Sequence, residues 1–302
     1  AGALWQPAQP ADAIDRGDWW TLFQDEDLNR LAAQVQLSNQ NIAAAVAAYA
    51  QAQALVREQG AALLPSVNLT GSETRSGGEG SARRGTTAQA ALGASWAPDL
   101  WGRLGSTVSG ARASAQASQA DLASARLSAV GSLVAAYFQL READAEIALL
   151  QEIDQAYQRS LQITRNRYEA GVAPASDVQQ ARTQLANAQA DLATVRLNRA
   201  RYEHAIAVLT GVPPGSFSLP PATWVARVPQ VPVAVPSELL QRRPAVASAE
   251  RAVAAANAQI GVQRAAYYPS LSLSASLGRS GSSVADLFSA SGALWSLGLS
   301  AA

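Results

Sequence analysis

Two stretches of the sequence decide the fold: "ALLPSVNLTGS" (62–72) and "AYYPSLSLSAS" (266–276). In each, an Ala-rich segment with helical composition runs into a proline and continues as residues that alternate like a strand. Aligning Pro65 with Pro269 gives an offset of 204 residues. The residues that recur at that offset are Ala50, Ala52, Ala54, Gln59, Ala61, Ala62, Ser66 and Leu69. An internal duplication is the simplest cause, and its second copy must be incomplete, because 302 residues cannot hold two such units.

The composition excludes several classes of site. The chain has no cysteine and one histidine, which excludes disulfides, thiol chemistry and a histidine-rich metal site. Its 23 basic and 23 acidic residues give zero net charge and no basic footprint for nucleic acid. The longest apolar run, "IAAAVAAYA" (42–50), is far shorter than the roughly 20 residues of a membrane-spanning helix. We therefore expect no cofactor, no nucleic-acid partner and no helix that crosses a bilayer.

The first repeat is predicted to occupy residues 27–210, after an extended N-terminal arm at 1–26. Its Ala-rich helix ends at Pro65, and "SNQN" (38–41) marks a candidate break within it. The predicted elements of this repeat are a helix at 27–64, strands at 66–76 and 86–96, and a coiled-coil hairpin at 105–210.

A connector at 211–236 separates the repeats and contains seven of the fourteen prolines. The second repeat is predicted to begin at 237 with another helix that runs into a proline. Its elements are a helix at 237–268 and strands at 270–278 and 294–302. We expect the chain to stop where a second helical hairpin would begin.

The hairpin at 105–210 is predicted from apolar residues at coiled-coil spacing on both sides of the turn "AGVAP" (170–174). On the first helix the seam residues are Leu133, Leu140, Ile147, Leu161 and Tyr168, with Asp154 as the polar interruption. On the second they are Val178, Leu185, Leu192 and Ile206 in one register, and Ala181, Ala188, Val195, Tyr202 and Leu209 in the other, broken at Arg199. Gly171 suits the position after the first helix, and Ser176 with Gln179 is predicted to form a capping box for the second.

The predicted strands alternate apolar residues with small, mostly hydroxylic ones. This alternation fits a half-buried antiparallel sheet, and it also fits a transmembrane barrel, whose strands of about 9–11 residues turn one face to lipid. Four strands are too few to close a barrel, which takes about eight. No other element offers apolar surface to cover the sheet except helices that run far past it, so we favour a barrel built by several identical chains. The predicted lipid face comprises Leu92, Trp96, Leu271, Leu273, Leu277, Trp295, Leu297 and Leu299.

Five motifs resemble one protein family: "DWWTLFQDEDLNRL" (18–31), "PDLWGR" (98–103), "RYEAGVAPASDVQQAR" (167–182), "LLQRRPAVASAE" (239–250) and "ANAQIGVQRAAYYPSLSL" (256–273). Together they resemble the TolC-like outer-membrane efflux proteins, in the branch that serves resistance-nodulation-division (RND) multidrug pumps. Two features depart from that family. Ala245 stands where the branch usually has an acidic residue, and the second helical hairpin is absent.

The resemblance implies a mainly α fold in which long coiled-coil helices form a tunnel beneath an oligomeric transmembrane β-barrel. It implies a homotrimer with 12 strands in the outer-membrane lipid of a Gram-negative bacterium, with the helical body in the periplasm. The implied function is the exit duct of a tripartite pump, which exports drugs or other small molecules passively. The implied partners are a periplasmic adaptor (membrane fusion) protein and an inner-membrane RND pump.

The resemblance also assigns roles at the hairpin tip. Asp177 aligns with a family aspartate that helps to hold the periplasmic end of the tunnel closed, and Tyr168 and Arg167 lie on the other side of the same turn, nine and ten residues before it. The turn that an adaptor would contact comprises Gly171, Val172 and Ala173. From spacing alone, the favoured interpretation is that Asp177 is an acid in the first turn of a helix, where it stabilises the N-terminus.

No nucleophile and base, and no metal-ligand set, stand at a spacing that indicates catalysis, so we expect no enzymatic activity. His204 is predicted to be a helix-surface residue. The alternative function from the sequence is a soluble periplasmic coiled-coil adaptor or structural assembly protein, because these also use long helical hairpins. The hydroxylic strands and the duplication argue against it.

Overall fold

The computed structural model describes residues 17–77, 85–222, 242–288 and 293–302. The predicted arm up to residue 16, most of the connector, and the predicted helix start at 237–241 lie outside the described residues. The helices are α1 (Glu26–Ser38), α2 (Gln40–Ala61), α3 (Arg103–Glu169), α4 (Ala175–Leu209) and α5 (Pro244–Ala265). The strands are β1 (Ser66–Ser76), β2 (Gly85–Trp96), β3 (Leu271–Gly281) and β4 (Ala293–Ala301). Over the described residues, no helix is long and apolar enough to cross a membrane.

The chain divides into two compact units. The hairpin unit comprises the chain up to Val46 together with Asp121–Pro244, and the sheet unit comprises Ala47–Ala120 together with Ala245–Ala302. Helices α2 and α3 each contribute to both units, because each continues across a unit boundary.

The duplication is visible in the positions of the elements. Helix α5 begins and ends 204 residues after α2, and both are 22 residues long. Strands β1 and β3 are both 11 residues long and follow those helices at the same distance, to within one residue. The step from helix through proline into strand is therefore one structural unit used twice.

Each of these helices ends three residues earlier than predicted, at Ala61 instead of 64 and at Ala265 instead of 268. The residue before a proline avoids the α conformation, and the chain tightens in the last turn: Leu64 N–H donates to the carbonyl of Ala61 over 3.0 Å, and Tyr268 N–H to that of Ala265 over 3.2 Å. Strand β3 runs to Gly281 rather than 278, because its pairing with β2 continues to that residue.

The predicted helix at 27–64 is two helices, since the chain leaves the helical conformation at Asn39 (ψ 122°). The Asn39 side-chain oxygen accepts hydrogen bonds from the N–H groups of Asn41 (3.0 Å) and Ile42 (3.2 Å), which caps α2. Its amide nitrogen donates to the carbonyl of Leu209 at 2.9 Å. Asn39 therefore both starts α2 and holds that start against the end of α4.

In the hairpin unit, much of the predicted seam is buried, while Tyr168 at the tip is exposed and Ile147, Leu185, Tyr202 and Leu209 are half-buried. Leu133, Leu140 and Ile206 have no exposed surface, and Leu161, Val178 and Ala181 form a cluster with Leu185 nearer the turn. The polar interruption Asp154 is bonded across the hairpin: its two oxygens accept from Gln189 on α4 (3.0 Å) and from Gln158 on α3 (2.7 Å). The seam thus continues through Asp154 by hydrogen bonding instead of apolar packing.

A buried charge network explains the other interruption, at Arg199. The Asp144 side chain is 3% exposed and lies between two arginines, Arg141 (2% exposed) and Arg199 (16%). One carboxylate oxygen accepts from Arg141 at 3.2 Å and the other from Arg199 at 2.6 Å. A buried charge is tolerated where it is paired and hydrogen-bonded, so the core position of Arg199 serves an ion pair between the two helices.

The same network holds the chain that leaves α4. Arg141 donates to the carbonyl of Pro220 at 2.9 Å and Arg199 to that of Leu219 at 2.7 Å. Glu203, bonded to Arg199 at 3.2 Å, accepts from the N–H of Leu219 at 2.7 Å. The charged groups therefore fix the backbone at 219–220 against both helices.

The segment before α1 reaches this network through Tyr137, which is 1% exposed and whose ring centre lies 5.0 Å from the guanidinium carbon of Arg141. Its hydroxyl donates to Asp25 at 2.7 Å, and Asp25 also accepts from the N–H of Leu28 and so caps α1. Burial, reinforced by the hydrogen bond to Asp25, raises the pKa of Tyr137 to about 12. Tyr137 thus connects the start of α1 to the middle of α3.

The sheet unit holds one antiparallel sheet with strand order β1-β2-β3-β4. Strands β1 and β2 belong to the first repeat and β3 and β4 to the second, so the β2–β3 pairing joins the two repeats. The observed fold is mainly helical with a small antiparallel sheet, as the sequence predicts.

Candidate functional site

The strand register collects the apolar side chains on one face of the sheet. Leu92 on β2 pairs with Leu277 on β3, which pairs with Trp295 on β4, and Leu69 on β1 completes the row. The eight residues predicted to face lipid all lie on this face, which we call the apolar face: Leu92, Trp96, Leu271, Leu273, Leu277, Trp295, Leu297 and Leu299.

The apolar face is exposed. Leu69 is 78% exposed, Trp295 77% and Leu297 76%. A soluble monomer rarely exposes an apolar patch that continues over several strands. The apolar face is therefore built to contact an apolar phase or another protein surface.

The opposite face is hydroxylic, and its side chains bond to one another across strands. Three hydroxyl pairs lie within hydrogen-bond distance: Ser66 with Ser95 (2.7 Å), Ser272 with Ser300 (2.6 Å) and Ser276 with Ser296 (2.8 Å). A sheet with one apolar and one hydroxylic face can lie between an apolar environment and water.

Both edges of the sheet are open among the described strands, since β1 pairs with β2 alone and β4 with β3 alone. An unpaired edge presents a row of N–H and C=O groups that can pair with another strand. The sheet can therefore be extended at either edge.

The motif "PDLWGR" turns the chain from β2 into α3. Asp99 accepts hydrogen bonds from the N–H groups of Leu104 (3.0 Å) and Gly105 (2.6 Å), which caps α3. Trp101 stacks on Tyr268 with ring centres 4.7 Å apart and donates its indole N–H to the carbonyl of Pro269 at 2.8 Å. The motif thus ties the end of the first repeat's hairpin of strands to the helix–strand junction of the second repeat.

At the tip of the α3–α4 hairpin, α3 is followed closely by Gly171, whose φ of +73° lies in the left-handed region. The N–H of Val172 donates to the carbonyl of Arg167 (2.8 Å) and that of Gly171 to Tyr168 (2.9 Å), the pattern that ends helices at a glycine. The position predicted for Gly171 is confirmed.

The predicted capping box at Ser176 is wrong. Helix α4 begins at Ala175 with Pro174 as its N-cap residue, and no side chain caps it. Ser176 lies inside the helix, where its hydroxyl is 3.4 Å from the carboxylate of Asp177. Pro174 initiates α4 without a capping side chain, because its fixed φ suits the residue that precedes a helix.

The residues predicted at the tip lie together around this turn. Tyr168 is 49% and Val172 67% exposed, and Arg167, Gly171 and Asp177 are exposed as well, while Ala173 is half-buried. Asp177 stands in the first turn of α4, where a carboxylate is favoured by the helix dipole. The tip offers accessible groups of both charges, and the gating and adaptor roles remain predictions.

Comparison with known proteins identifies the family. The model of the family described as "Outer membrane efflux protein" matches residues 31–212 and 235–302. The chain belongs to this family of outer membrane efflux proteins. The TolC-like assignment and the outer-membrane location predicted from the sequence are confirmed.

Two relatives and one solved structure show the extent of the likeness. The probable efflux pump outer membrane protein TtgC of Pseudomonas putida is 33% identical over 97% of this chain and 63% of its own length. The pyoverdine export outer membrane protein OpmQ of Pseudomonas aeruginosa is 34% identical over 92% of this chain and 61% of its own length. The outer-membrane channel OprN superposes with a TM-score of 0.85 at 30% identity, over 98% of this chain and 71% of that one.

The chain thus spans a little under two thirds of these curated relatives. They are named as efflux or export proteins of the outer membrane, not as enzymes. Within the described residues, no group of three His, Asp or Glu side chains is placed to hold a metal ion.

Sequence reasoning did not find the charge network of the hairpin unit or the Trp101–Tyr268 contact. Arg199 at a core heptad position was the signal for the first, since an arginine there requires a buried partner. The second had no local signal, because Trp101 and Tyr268 are brought together by the pairing of two repeats.

Proposed function

We propose that the protein containing this chain is the outer-membrane exit duct of a tripartite efflux pump, through which drugs or other small molecules leave the periplasm passively. The observation that carries the proposal is the exposed apolar face on a four-stranded sheet with two open edges. Membership in the outer membrane efflux family supports it.

In this proposal three copies close a 12-stranded barrel. Closure removes both open edges and places the apolar face against lipid, while the hydroxyl pairs face a water-filled interior. Four strands per copy and three copies exceed the roughly eight strands that a barrel requires. Trp96, at the end of β2 on the apolar face, suits the level of the lipid headgroups, where aromatic residues anchor barrels.

The α3–α4 hairpin supplies the periplasmic part of the proposed duct. Its tip is the proposed contact for a periplasmic adaptor through Gly171, Val172 and Ala173, and the adaptor connects it to an inner-membrane RND pump. Asp177, with Tyr168 and Arg167 nearby, is the proposed polar group that holds the resting tip closed. Exposure of the tip supports both roles, because a group must be accessible to bind a partner.

The oligomer is tested by light scattering of the purified protein in detergent. We expect a mass of three protomers plus the micelle. A monodisperse monomer that stays in solution without detergent would contradict the proposal and would favour the alternative, a soluble coiled-coil adaptor or assembly protein.

The orientation of the sheet is tested by a matched pair of substitutions on one strand. Leu297→Arg places a charge on the apolar face, where it should cost about 2–4 kcal/mol near the middle of the bilayer. Ser296→Arg places the same charge on the hydroxylic face, where water can solvate it. We expect L297R to deplete the protein from outer membranes and S296R to leave it there, and equal depletion by both would refute the assignment of the faces.

A further inference from the structure

The apolar face of the sheet ends before the strands do. Its last wholly apolar row of paired residues comprises Leu69, Leu92, Leu277 and Trp295. The next rows, towards the end of the sheet remote from Pro65 and Pro269, place Arg279, Glu73 and then Arg75 on the same side. We call this end of the sheet the outer end. A charge on the lipid side of a barrel is costly in the middle of the bilayer and costs little near its surface, so these charged rows mark the level of the lipid headgroups in the proposed duct.

A short segment crosses the apolar side of the outer end. Residues 282–288, which we call the rim segment, follow β3, and their last four, Ala285–Phe288, form one 3-10 turn. A Cβ atom built on Gly281 would collide with the Cβ of Asp286. Position 281 lies on the same side of β3 as Leu277, because side chains at every second residue share a face. The rim segment therefore passes directly over the apolar side, and the glycine permits the close approach.

Two further observations agree with this placement. Ala88 on β2, which pairs with Gly281, is 1% exposed, whereas Leu92 on the same face of β2 is 47% exposed. The 3-10 turn contacts β2 as well as β3, which accounts for the burial of Ala88. Arg279, also on this side of β3, donates to the carbonyl of Leu287 at 3.3 Å. The rim segment is thus held on the outside of the sheet by close packing and by a hydrogen bond.

The rim segment exposes its large apolar side chains. Phe288 is 84% exposed and Val284 is 52% exposed. Apolar side chains, and aromatic ones above all, are favoured at the boundary between water and hydrocarbon, where aromatic residues form girdles around barrels. The rim segment lies on the outside of the sheet at the headgroup level, so Phe288 and Val284 are at the height where they can reach lipid.

We propose that the rim segment is a membrane anchor, in which Phe288 and Val284 insert among the lipid headgroups of the outer leaflet. The inference rests on the proposed duct and adds a lipid contact that lies outside the strands. Lipid is the occupant because the rim segment is continuous with the apolar face, which contacts lipid in the same proposal. With Trp96 at the opposite end of that face, Phe288 fixes the height of the barrel in the membrane.

Quenching of a fluorophore by lipid tests the anchor, because the chain has no cysteine of its own and a single introduced cysteine can be labelled. The full-length protein, carrying no other cysteine, is labelled at F288C with an environment-sensitive dye and reconstituted in phosphatidylcholine vesicles. Part of the phosphatidylcholine carries a nitroxide, either near the headgroup or deep in the acyl chain. L297C, in the middle of the apolar face, is the control for depth. Q89C is the control for side, because Gln89 pairs with Ser280 at the height of the rim segment but on the hydroxylic face.

We expect the dye at F288C to be quenched severalfold more by the nitroxide near the headgroup than by the deep one, and the dye at L297C to show the reverse order. The dye at Q89C should respond to iodide in the aqueous phase and to neither lipid. G281V should lift the rim segment off the sheet, because the added side chain collides with Asp286. In that background F288C should lose its quenching by lipid, and L297C should keep it.

The outcomes separate the anchor from the proposed duct. If L297C is quenched by the deep nitroxide but F288C responds only to iodide, or is unaffected by G281V, the anchor is refuted and the proposed duct stands. Oxidative cross-linking between F288C copies in place of quenching by lipid would also refute the anchor, because the rim segment would then contact another copy. If L297C is quenched by neither lipid, the proposed duct fails and the anchor fails with it.

Discussion

The buried charge network predicts that one carboxylate in the middle of α3 matters far more to stability than another on the same helix. Asp144 is 3% exposed and joins Arg141 to Arg199. Removing one partner of a buried ion pair costs about 3–5 kcal/mol, because the remaining charge is left buried. Arg199 keeps Glu203 and the carbonyl of Leu219, and Arg141 keeps its carbonyl and a longer contact to Asp27 at 3.5 Å. We therefore expect Asp144→Ala to cost about 3 kcal/mol, the low end of that range.

Asp154→Ala is the matched control, ten residues further along α3. Asp154 is only half-buried and bonds to two glutamines, Gln158 and Gln189. Loss of ordinary hydrogen bonds at such a site costs about 0.5–1.5 kcal/mol. Taking about 2 °C per kcal/mol for a chain of this size, we expect melting temperatures to fall by about 6 °C for D144A and about 1–3 °C for D154A.

The assay is thermal unfolding followed by far-UV circular dichroism in detergent, with the oligomer checked by light scattering before heating. Limited proteolysis adds a local readout, since Asp144 holds the arginines that fix the backbone at 219–220. D144A should therefore be cut faster near those residues, and D154A should not. Equal melting temperatures for the two variants would show that the network contributes no more than a surface contact, and the reasoning would fail.

Three further predictions concern the tip and the start of α1. Asp177→Ala should raise single-channel conductance in planar bilayers. The reason is that each copy loses a charge-assisted hydrogen bond worth about 1.5–3 kcal/mol, which favours an open tip. Unchanged conductance in an intact trimer would leave Asp177 as a helix-start acid. Gly171→Val should weaken adaptor pull-down and cost about 1–2 kcal/mol, because φ is +73° there; full adaptor binding by a folded variant would contradict the proposed contact. Burial raises the pKa of Tyr137 from 10.0 to about 12. The contribution of Tyr137 to stability should therefore be complete below pH 10 and be lost as the pH rises towards 12. Melting curves at alkaline pH should show this loss, and Tyr137→Phe should remove that part of the pH dependence.

The elements that sequence reasoning predicted are those set by local periodicity. The heptads of α3 and α4 predicted a hairpin because each apolar residue needs only a partner on the facing helix, and the seam residues Leu133, Leu140 and Ile206 are fully buried. The faces of the sheet were predicted equally well, because side chains alternate at every residue along a strand. The residues predicted to face lipid therefore share one face in the structure.

The features that sequence reasoning missed depend on contacts between distant segments. The candidate break at 38–41 is confirmed, but its cause was missed: the Asn39 side chain reaches both the start of α2 and Leu209, 170 residues away. Arg199 pairs with Asp144 across two helices, and Trp101 meets Tyr268 because strands from two repeats are neighbours. The capping box failed for a local reason, since Pro174 starts the helix before Ser176 can.

The pairing of the serine hydroxyls affects which molecules can pass through a channel whose wall is the hydroxylic face of the sheet. Ser272 with Ser300 and Ser276 with Ser296 lie within 2.8 Å, so one hydroxyl of each pair donates its proton to the other. The accepting hydroxyl keeps its own proton and both oxygens keep lone pairs, which water can occupy. A solute gains a hydrogen bond from these groups only in exchange for one to water, and the net gain from such an exchange is small. In the proposed duct, the hydroxylic wall would then be hydrated but would bind solutes only weakly. Chemically different solutes would therefore pass it at similar rates. Selection among cargoes would have to be made upstream, before a molecule reaches these strands.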